Sequence, residues 1–172
     1  MKFGNEHWWK CGPPPATGQR QRYPGRFEFN LHKYYPQFKD AGKGTLHLFS
    51  GSCSWGTTSD LRPETGADVI GEFDELPIER GSFAHVLADP PYADYFMADW
   101  DGRPLPRPID VLRAAANYVE VGGLIGILTI IIIPEYKHEK WGMPGIERVN
   151  AWPVMCGSNN AARVFNVFRR VE

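Results

Sequence analysis

The sequence of 172 residues predicts a single open α/β sheet whose strands are mostly parallel. Short apolar runs recur along the chain and are typical of strands that are buried on both faces. A longer amphipathic segment between two of these runs predicts a helix that connects one strand to the next. Small or acidic residues directly follow several runs, so we expect them to meet at the carboxyl edge of the sheet.

Composition fits one globular domain and argues against other classes of protein. Hydrophobic residues make up 42% of the chain and charged residues 23%, which disfavours disorder. The net charge of -1 gives no general attraction to polyanions. Any binding of nucleic acid would therefore depend on local patches of charge.

The cysteines and the apolar runs predict a soluble protein in a reducing compartment. Cys11, Cys53 and Cys156 are odd in number and far apart, which disfavours a disulfide framework and a structural zinc site. Residues 1–10 lack the basic-then-apolar order of a signal peptide. The apolar run 124–133 is about half the ~20 residues needed to cross a bilayer. We expect a cytoplasmic protein with no metal and no membrane partner.

The first half of the chain is expected to hold an arm, a helix and four strands. Residues 1–30 form the arm, because proline and glycine are frequent over 11–26. Residues 31–172 form one domain. Apolar residues at three- and four-residue steps predict its first helix over 31–39. Strands are predicted over 45–50, 57–61, 67–71 and 83–88.

The second half is expected to hold the connecting helix, a fifth strand and a hairpin. The helix is predicted over 109–121, with an apolar stripe and a stop at Gly122-Gly123. The fifth strand is predicted over 124–133. Two further apolar runs, 149–155 and 163–168, flank a Gly/Ser/Asn-rich turn and predict an antiparallel hairpin that closes the sheet.

The tetrapeptide Asp89-Pro90-Pro91-Tyr92 is the strongest chemical signal. Consecutive prolines fix the backbone and remove amide donors, so the turn becomes a rigid acceptor platform. Asp89 and the Pro90 carbonyl can both accept hydrogen bonds from one exocyclic amino group, and Tyr92 offers a face for stacking. An ordinary Asp-Pro turn is the alternative interpretation of the tetrapeptide alone.

Together with the FSG sequence at 49–51, this tetrapeptide resembles the motifs of S-adenosylmethionine-dependent amino-methyltransferases of the DPPY type. The likeness covers residues 45–170, and RYPGRF at 22–27 resembles the segment that folds over the methionine part of the cofactor. It implies a Rossmann-like class I methyltransferase fold, with a mostly parallel seven-stranded sheet and a C-terminal antiparallel hairpin. It also implies that S-adenosyl-L-methionine is the cofactor.

The resemblance assigns roles to individual residues. Asp89, Pro90, Pro91 and Tyr92 correspond to the catalytic motif. Asp60 corresponds to the residue that accepts hydrogen bonds from the ribose hydroxyls, and Glu72 and Phe73 to the pair at the adenine ring, with Asp74 as a competing choice. The remaining residues implied to border the cofactor are Tyr23, Pro24, Phe49, Ser50, Gly51, Ser52 and Leu61.

Two features depart from the family pattern. Cys53 stands where the family usually carries a second glycine. The segment between Gly51 and Asp60 is much shorter than the ~20 residues usual in dinucleotide-binding folds. The first crossover helix is therefore expected to be shortened or missing.

The implied function is methyl transfer to an exocyclic amino group of a DNA base, and Asp at the start of the tetrapeptide favours adenine N6 over cytosine N4. RNA-base and protein-glutamine methylation, or a catalytically silent binding module, remain alternatives. The chain leaves no room for a separate target-recognition domain of ~100 residues. Specificity would then come from loops, from a homodimer or from a partner subunit.

Arginines near both ends of the sequence have two interpretations. Arg163, Arg169 and Arg170 are expected to be surface cations on the last strand. Alternatively, they join Arg20, Arg22 and Arg26 in a rim that binds phosphate groups.

Overall fold

A seven-stranded sheet organises the chain in the computed structural model, which describes residues 35–41, 44–51, 53, 55–91, 104–134, 143, 145–156 and 161–172. The predicted arm 1–30 lies outside these residues. The strands and the helix, with two short 3-10 turns, follow in chain order: a turn at Pro36–Phe38, β1 (Thr45–Leu48), β2 (Thr57–Asp60), a turn at Pro63–Thr65, β3 (Val69–Ile70), β4 (Phe83–Ala88), α1 (Pro108–Tyr118), β5 (Val119–Thr129), β6 (Ile146–Cys156) and β7 (Ala161–Arg170).

The strand order is β3-β2-β1-β4-β5-β7-β6. The first five strands pair in parallel, whereas β7 runs antiparallel to both β5 and β6. The chain thus builds outward from β1 in one direction through β3 and in the other through β4, as in Rossmann-like sheets. The predicted mostly parallel sheet with a C-terminal antiparallel hairpin is confirmed.

The connection from β1 to β2 is unusually short for a parallel pair. It spans residues 49–56, and its described residues contain no helix. Parallel neighbours usually need a dozen or more residues, commonly including a helix, to return to the start of the next strand. The strands here have only four residues each, so a short connection covers the return. This agrees with the predicted loss of the first crossover helix.

The helix predicted over 31–39 is wrong over its described part. Residues 31–34 lie outside the description, and the remainder holds only the 3-10 turn Pro36–Phe38. Tyr35 lies outside the helical region, with φ -128° and ψ 74°. The residue before a proline is driven away from the helical region by the proline ring, which the apolar spacing alone did not take into account.

The junction between α1 and β5 also differs from the prediction. The helix ends at Tyr118 and β5 begins at Val119, so Gly122-Gly123 lies inside the strand and is not a helix stop. The register of β4 against β5 shifts between Phe83 and His85, and Gly122 has φ 86° at this bulge. A Cβ on Gly123 would lie 2.7 Å from the Ala84 carbonyl oxygen. These glycines therefore permit a bulge.

The far end of β5 departs from the predicted strand 124–133. The strand ends at Thr129, and Ile130, Ile131 and Ile132 are 54%, 46% and 57% exposed. The buried Asn166 holds the chain in this bend: its amide donates to Ile131 O at 3.1 Å, and its Oδ1 accepts from Ile133 N at 2.9 Å. The prediction failed because an apolar run does not reveal a side chain that competes for the backbone.

The hairpin is confirmed and is longer than predicted, since β6 and β7 extend beyond 149–155 and 163–168. The predicted turn residues 157–160 lie outside the description. Other strands are shorter than predicted: β1 ends at Leu48, β2 at Asp60, and β3 is only Val69–Ile70.

The two faces of the sheet are covered in different ways. Helix α1 packs on one face through Val111, Leu112, Ala115 and Tyr118. Of the apolar stripe predicted for this helix, Leu112 and Val119 are fully buried, with Val119 already in β5, and Ile109 and Ala116 are partly buried. Aromatic side chains cover the other face in place of a described helix. They are Tyr35, Phe38, Trp55, Trp152 and Phe165.

No helix among the described residues has the length and apolar character needed to span a membrane.

Gly126 lets the aromatic face pack tightly. A Cβ at this position would lie 2.5 Å from Phe165 Cζ and 2.8 Å from Leu87 Cδ2. We predict that Gly126→Ala lowers the free energy of unfolding by about 1–3 kcal/mol through overpacking. Urea unfolding tests this, with Gly71→Ala as the control because its nearest atom would lie at 3.5 Å. Equal stabilities of the two variants would contradict the prediction.

His47 makes stability depend on pH. It lies buried on β1 against the Trp55 ring, and burial lowers the pKa of His47 from 6.5 to about 4. Below pH 6.5 the unfolded chain therefore binds a proton at His47 more readily than the folded chain does. The stability that depends on neutral His47 is complete above pH 6.5 and is lost as pH falls toward 4. We predict that His47→Gln removes about 3 kcal/mol of this acid-induced loss. Unfolding curves of both proteins at several pH values test this. Equal losses of stability on acidification would contradict the prediction.

Candidate functional site

The proposed site residues lie where four strands reach one edge of the sheet. Leu48, the last residue of β1, is level with Ala88 of β4 and with Ser59 of β2. Asp60 is level with Ile70 of β3. The segments that follow these strands are therefore neighbours, and they hold Phe49, Ser50, Gly51, Leu61, Glu72, Phe73, Asp89, Pro90 and Pro91.

The edge includes the point where the strand order reverses. β1 connects onward to β2 on one side, whereas its neighbour on the other side is β4. Connections leave such a pair in opposite directions and open a crevice between them, which is where ligands bind in open α/β sheets. Phe49 and Asp89, the first residues beyond β1 and β4, flank this crevice.

The turn after β1 has an uncommon backbone. Phe49 has φ 59° and Gly51 has φ 53°, and Phe49 is the one described non-glycine residue with positive φ. The amide of Ser50 donates to Ser59 O at 2.8 Å, and the amide of Cys53 donates to Ser50 O at 2.9 Å. A bulky residue in the left-handed region is strained, and strained residues of this kind cluster at active sites and ligand-binding turns.

Asp60 anchors this turn. Its Oδ2 accepts from the Gly51 amide at 2.9 Å, and its Oδ1 accepts from the Arg62 amide at 3.1 Å and from Arg62 Nε at 3.4 Å. The Asp60 side chain is only 4% exposed. The carboxylate implied to receive ribose hydroxyls thus already holds β1 and β2 together.

Apolar side chains follow β1, β2 and β3 at this edge of the sheet. The rings of Phe49 and Phe73 lie 5.1 Å apart, and Leu61 and Phe73 are both partly buried against the main core. Glu72, next to Phe73, is half-buried. The structure therefore groups carboxylates and aromatic rings that are separated in sequence.

Asp89 pairs with a cation from β7. Arg163 Nη1 lies 3.7 Å from Asp89 Oδ2, with the two side chains 19% and 10% exposed. The prediction that Arg163 is a surface cation is wrong. Alternation along β7 gave no clear signal, because Arg163 and the exposed Arg169 share the parity of the buried Phe165 and Val167.

The suggested rim of terminal arginines is not formed within β7. Arg169 is level with Leu124 at the start of the main part of β5, whereas Arg163 lies beyond the Val164–Thr129 pair at the opposite edge. Arg170 donates to Val119 O at 2.7 Å and to Ala116 O at 3.2 Å at the end of α1. Arg20, Arg22 and Arg26 lie outside the described residues.

Four of the implied site residues cannot be placed. Tyr23, Pro24, Ser52 and Tyr92 lie outside the described residues. Over the part of the chain that is described, no three His, Cys, Asp or Glu side chains form a group able to hold a metal ion.

Comparison with known proteins yields a likeness of fold only. No family model matches the chain. No curated protein matches it either. Solved structures with a similar chain path include the complex of the Haloferax volcanii Trm112 methyltransferase activator with a putative methyltransferase, at 13% identity and TM-score 0.46, covering 83% of this chain and 92% of that one.

Two further structures are similar at the same level. Geranyl diphosphate methyltransferase in complex with GPP and sinefungin has 13% identity and TM-score 0.46, covering 96% of this chain and 89% of that one. The antibiotic-resistance methyltransferase Kmr has 14% identity and TM-score 0.42, covering 78% and 92%. Likenesses of this size do not define a substrate, a partner or an activity.

Replacing Asp60 tests its role as the anchor of the turn. In Asp60→Asn the Gly51 amide loses a charged acceptor. A hydrogen bond to a charged group contributes about 1.5–3 kcal/mol to stability. We predict faster hydrogen exchange of the Gly51 amide, measured by NMR. The Thr58 amide, which donates to Asp68 Oδ2 at 2.9 Å, serves as the internal control and keeps its rate. Unchanged exchange at Gly51 would contradict the anchoring role.

Proposed function

We propose that this protein is an S-adenosylmethionine-dependent methyltransferase that methylates an exocyclic amino group of a DNA base, namely adenine N6. The observation that carries the proposal is the position of Asp89-Pro90-Pro91 directly after β4, across the β1–β4 crevice from the Phe49–Gly51 turn. The proposed cofactor loop (49–51) and the proposed acceptor turn (89–91) thus lie on the two sides of the crevice at which an open α/β sheet binds ligands.

The described residues fit the proposed cofactor in chemistry. The partly buried Phe73 and Leu61 supply apolar surface for an adenine ring, with the buried Phe49 packed behind Phe73, and the half-buried Glu72 supplies a hydrogen-bond acceptor beside it. Asp60 would receive the ribose hydroxyls. Its Arg62 Nε contact, at 3.4 Å the longest of its three hydrogen bonds, is the one that a ribose would replace.

The remaining cofactor positions complete the proposed binding site. Ser50, Gly51 and Ser52 would border the methionine part from the β1 side, with Tyr23 and Pro24 from the arm above it. S-adenosylmethionine, when bound, supplies a methyl group on a positively charged sulfur. Aromatic faces close to this sulfur would favour a cation of this kind.

The acceptor turn accounts for activation of the amine. An exocyclic amine on a base is a weak nucleophile because its lone pair is delocalised into the ring. Hydrogen bonds from its two N–H groups to Asp89 and to the Pro90 carbonyl would orient the lone pair toward the crevice. Pro90 and Pro91 fix the backbone of this turn and add no N–H donors to it. Tyr92 would stack on the base.

The target would be a base removed from its stack. Bases inside a duplex are out of reach of such a site, so the nucleotide must be flipped out or single-stranded. Asp at the first position of the turn supports adenine over cytosine. The exposed Ile130–Ile132 segment follows β5, the neighbour of β4, and so lies at the same edge as Asp89.

Substitution of Asp89 tests the proposal directly. We predict that tritium passes from labelled S-adenosylmethionine into unmethylated DNA, that Asp89→Ala lowers this rate at least about 100-fold, and that digestion finds N6-methyladenine. The control is Asp110→Ala on α1, whose carboxylate forms only exposed ion pairs and should leave the rate unchanged.

The same assay separates the alternatives. Label in RNA or in protein glutamine, with none in DNA, would mean that the substrate is RNA or protein. Cofactor binding with no transfer to DNA, RNA or protein would indicate a silent binding module and overturn the proposed activity.

A further inference from the structure

The Asp89–Arg163 pair brings together two distant parts of the sequence at the proposed site. Asp89 follows β4 and Arg163 lies near the start of β7, with β5 between them. Two strand spacings amount to about 10 Å, a distance that a long side chain can span. The guanidinium nitrogen reaches to 3.7 Å from Asp89 Oδ2, and both side chains are largely shielded from water.

Such a pair is not explained by stability alone. Partly burying two opposite charges costs desolvation energy that their attraction often only balances. Residues at equivalent places in β7, such as Phe165 and Val167, fill this face of the sheet with apolar side chains. An arginine here instead places a cation beside the one carboxylate that the proposed reaction requires.

We propose that Arg163 is a positioning residue that fixes the Asp89 carboxylate for hydrogen bonding to the target amine. This inference rests on the proposed function. Contact at Oδ2 restricts rotation of the carboxylate about its Cβ–Cγ bond, so that its oxygens accept hydrogen bonds from one fixed direction. Misplacement of a reacting group by about 1 Å can cost 100-fold in rate, so fixing this orientation affects turnover directly.

A positioning role for Arg163 predicts an effect on turnover and none on cofactor binding. Arg163 acts through Asp89, which would contact the amine, and not through the residues around Phe73 that would hold the cofactor. Loss of Arg163 should therefore lower kcat and leave the dissociation constant of S-adenosylmethionine unchanged. A lysine keeps the charge but not the planar, multi-donor geometry of arginine, so Arg163→Lys should restore part of the rate.

The test is a double-mutant cycle in single-turnover methyl transfer. We expect Arg163→Gln to lower the rate about 10- to 100-fold in the wild-type background. In an Asp89→Asn background, where the ion pair is already absent, Arg163→Gln should change the remaining rate less than about twofold, because coupled residues are non-additive. Arg169→Gln, at the opposite edge of the sheet, is the control.

Each outcome decides between defined alternatives. Equal fractional losses from Arg163→Gln in both backgrounds would mean a general structural role and would overturn the inference, as would wild-type kcat in Arg163→Gln. Unfolding curves and cofactor titrations on every variant identify a folding defect, in which case Arg163→Lys carries the comparison. A wild-type protein that binds S-adenosylmethionine but methylates nothing would overturn the proposed function itself, a result distinct from an active enzyme that ignores Arg163.

Discussion

The parallel pairing of β1 with β4 sets the geometry of the whole edge at which the site is proposed. Because Leu48 is level with Ala88, the first residues beyond both strands, Phe49 and Asp89, stand side by side at about one strand spacing. The chain leaves β1 toward β2 and arrives at β4 from β3, so the crevice between the two loops has no covalent connection across it. The roles proposed for the Asp89–Pro91 turn and for the Phe49–Gly51 turn depend on this one juxtaposition.

Polar side chains fix the path of the chain at several places where larger α/β domains have crossover helices. Asp60 ties the β1 turn to β2 through the Gly51 amide, and Asn166 holds the bend after β5 through Ile131 and Ile133. Tyr118 accepts from the Leu76 amide at 3.0 Å and so joins α1 to the segment before β4. Buried groups of this kind are costly unless satisfied, so each fixes one chain path. Aromatic side chains cover the sheet face opposite α1 and give that face a dense apolar layer.

The sequence predicted the elements whose signals are local and failed where distant residues decide. Apolar runs located all seven strands, and the few residues between Gly51 and Asp60 indicated the missing crossover helix. The prediction of a helix over 31–39 failed at Pro36. The proline is a local signal against a helix, but the apolar spacing of this segment favoured one. The end of β5 depends on Asn166, and the environment of Asp89 depends on Arg163; both come from the last strand, so no local pattern reports them. The cofactor roles of Asp60, Glu72 and Phe73 stay predictions from the family resemblance.

Location of the bound cofactor addresses the central claim most directly. Ultraviolet cross-linking of radiolabelled S-adenosylmethionine to the intact protein, followed by peptide mapping, reports which residues contact it. The β1–β4 crevice predicts label on the peptides that contain Phe49 and Phe73, and excess unlabelled cofactor should abolish it. Label confined to the β6–β7 hairpin, or label that excess cofactor does not displace, would contradict a cofactor site at the carboxyl edge of β1.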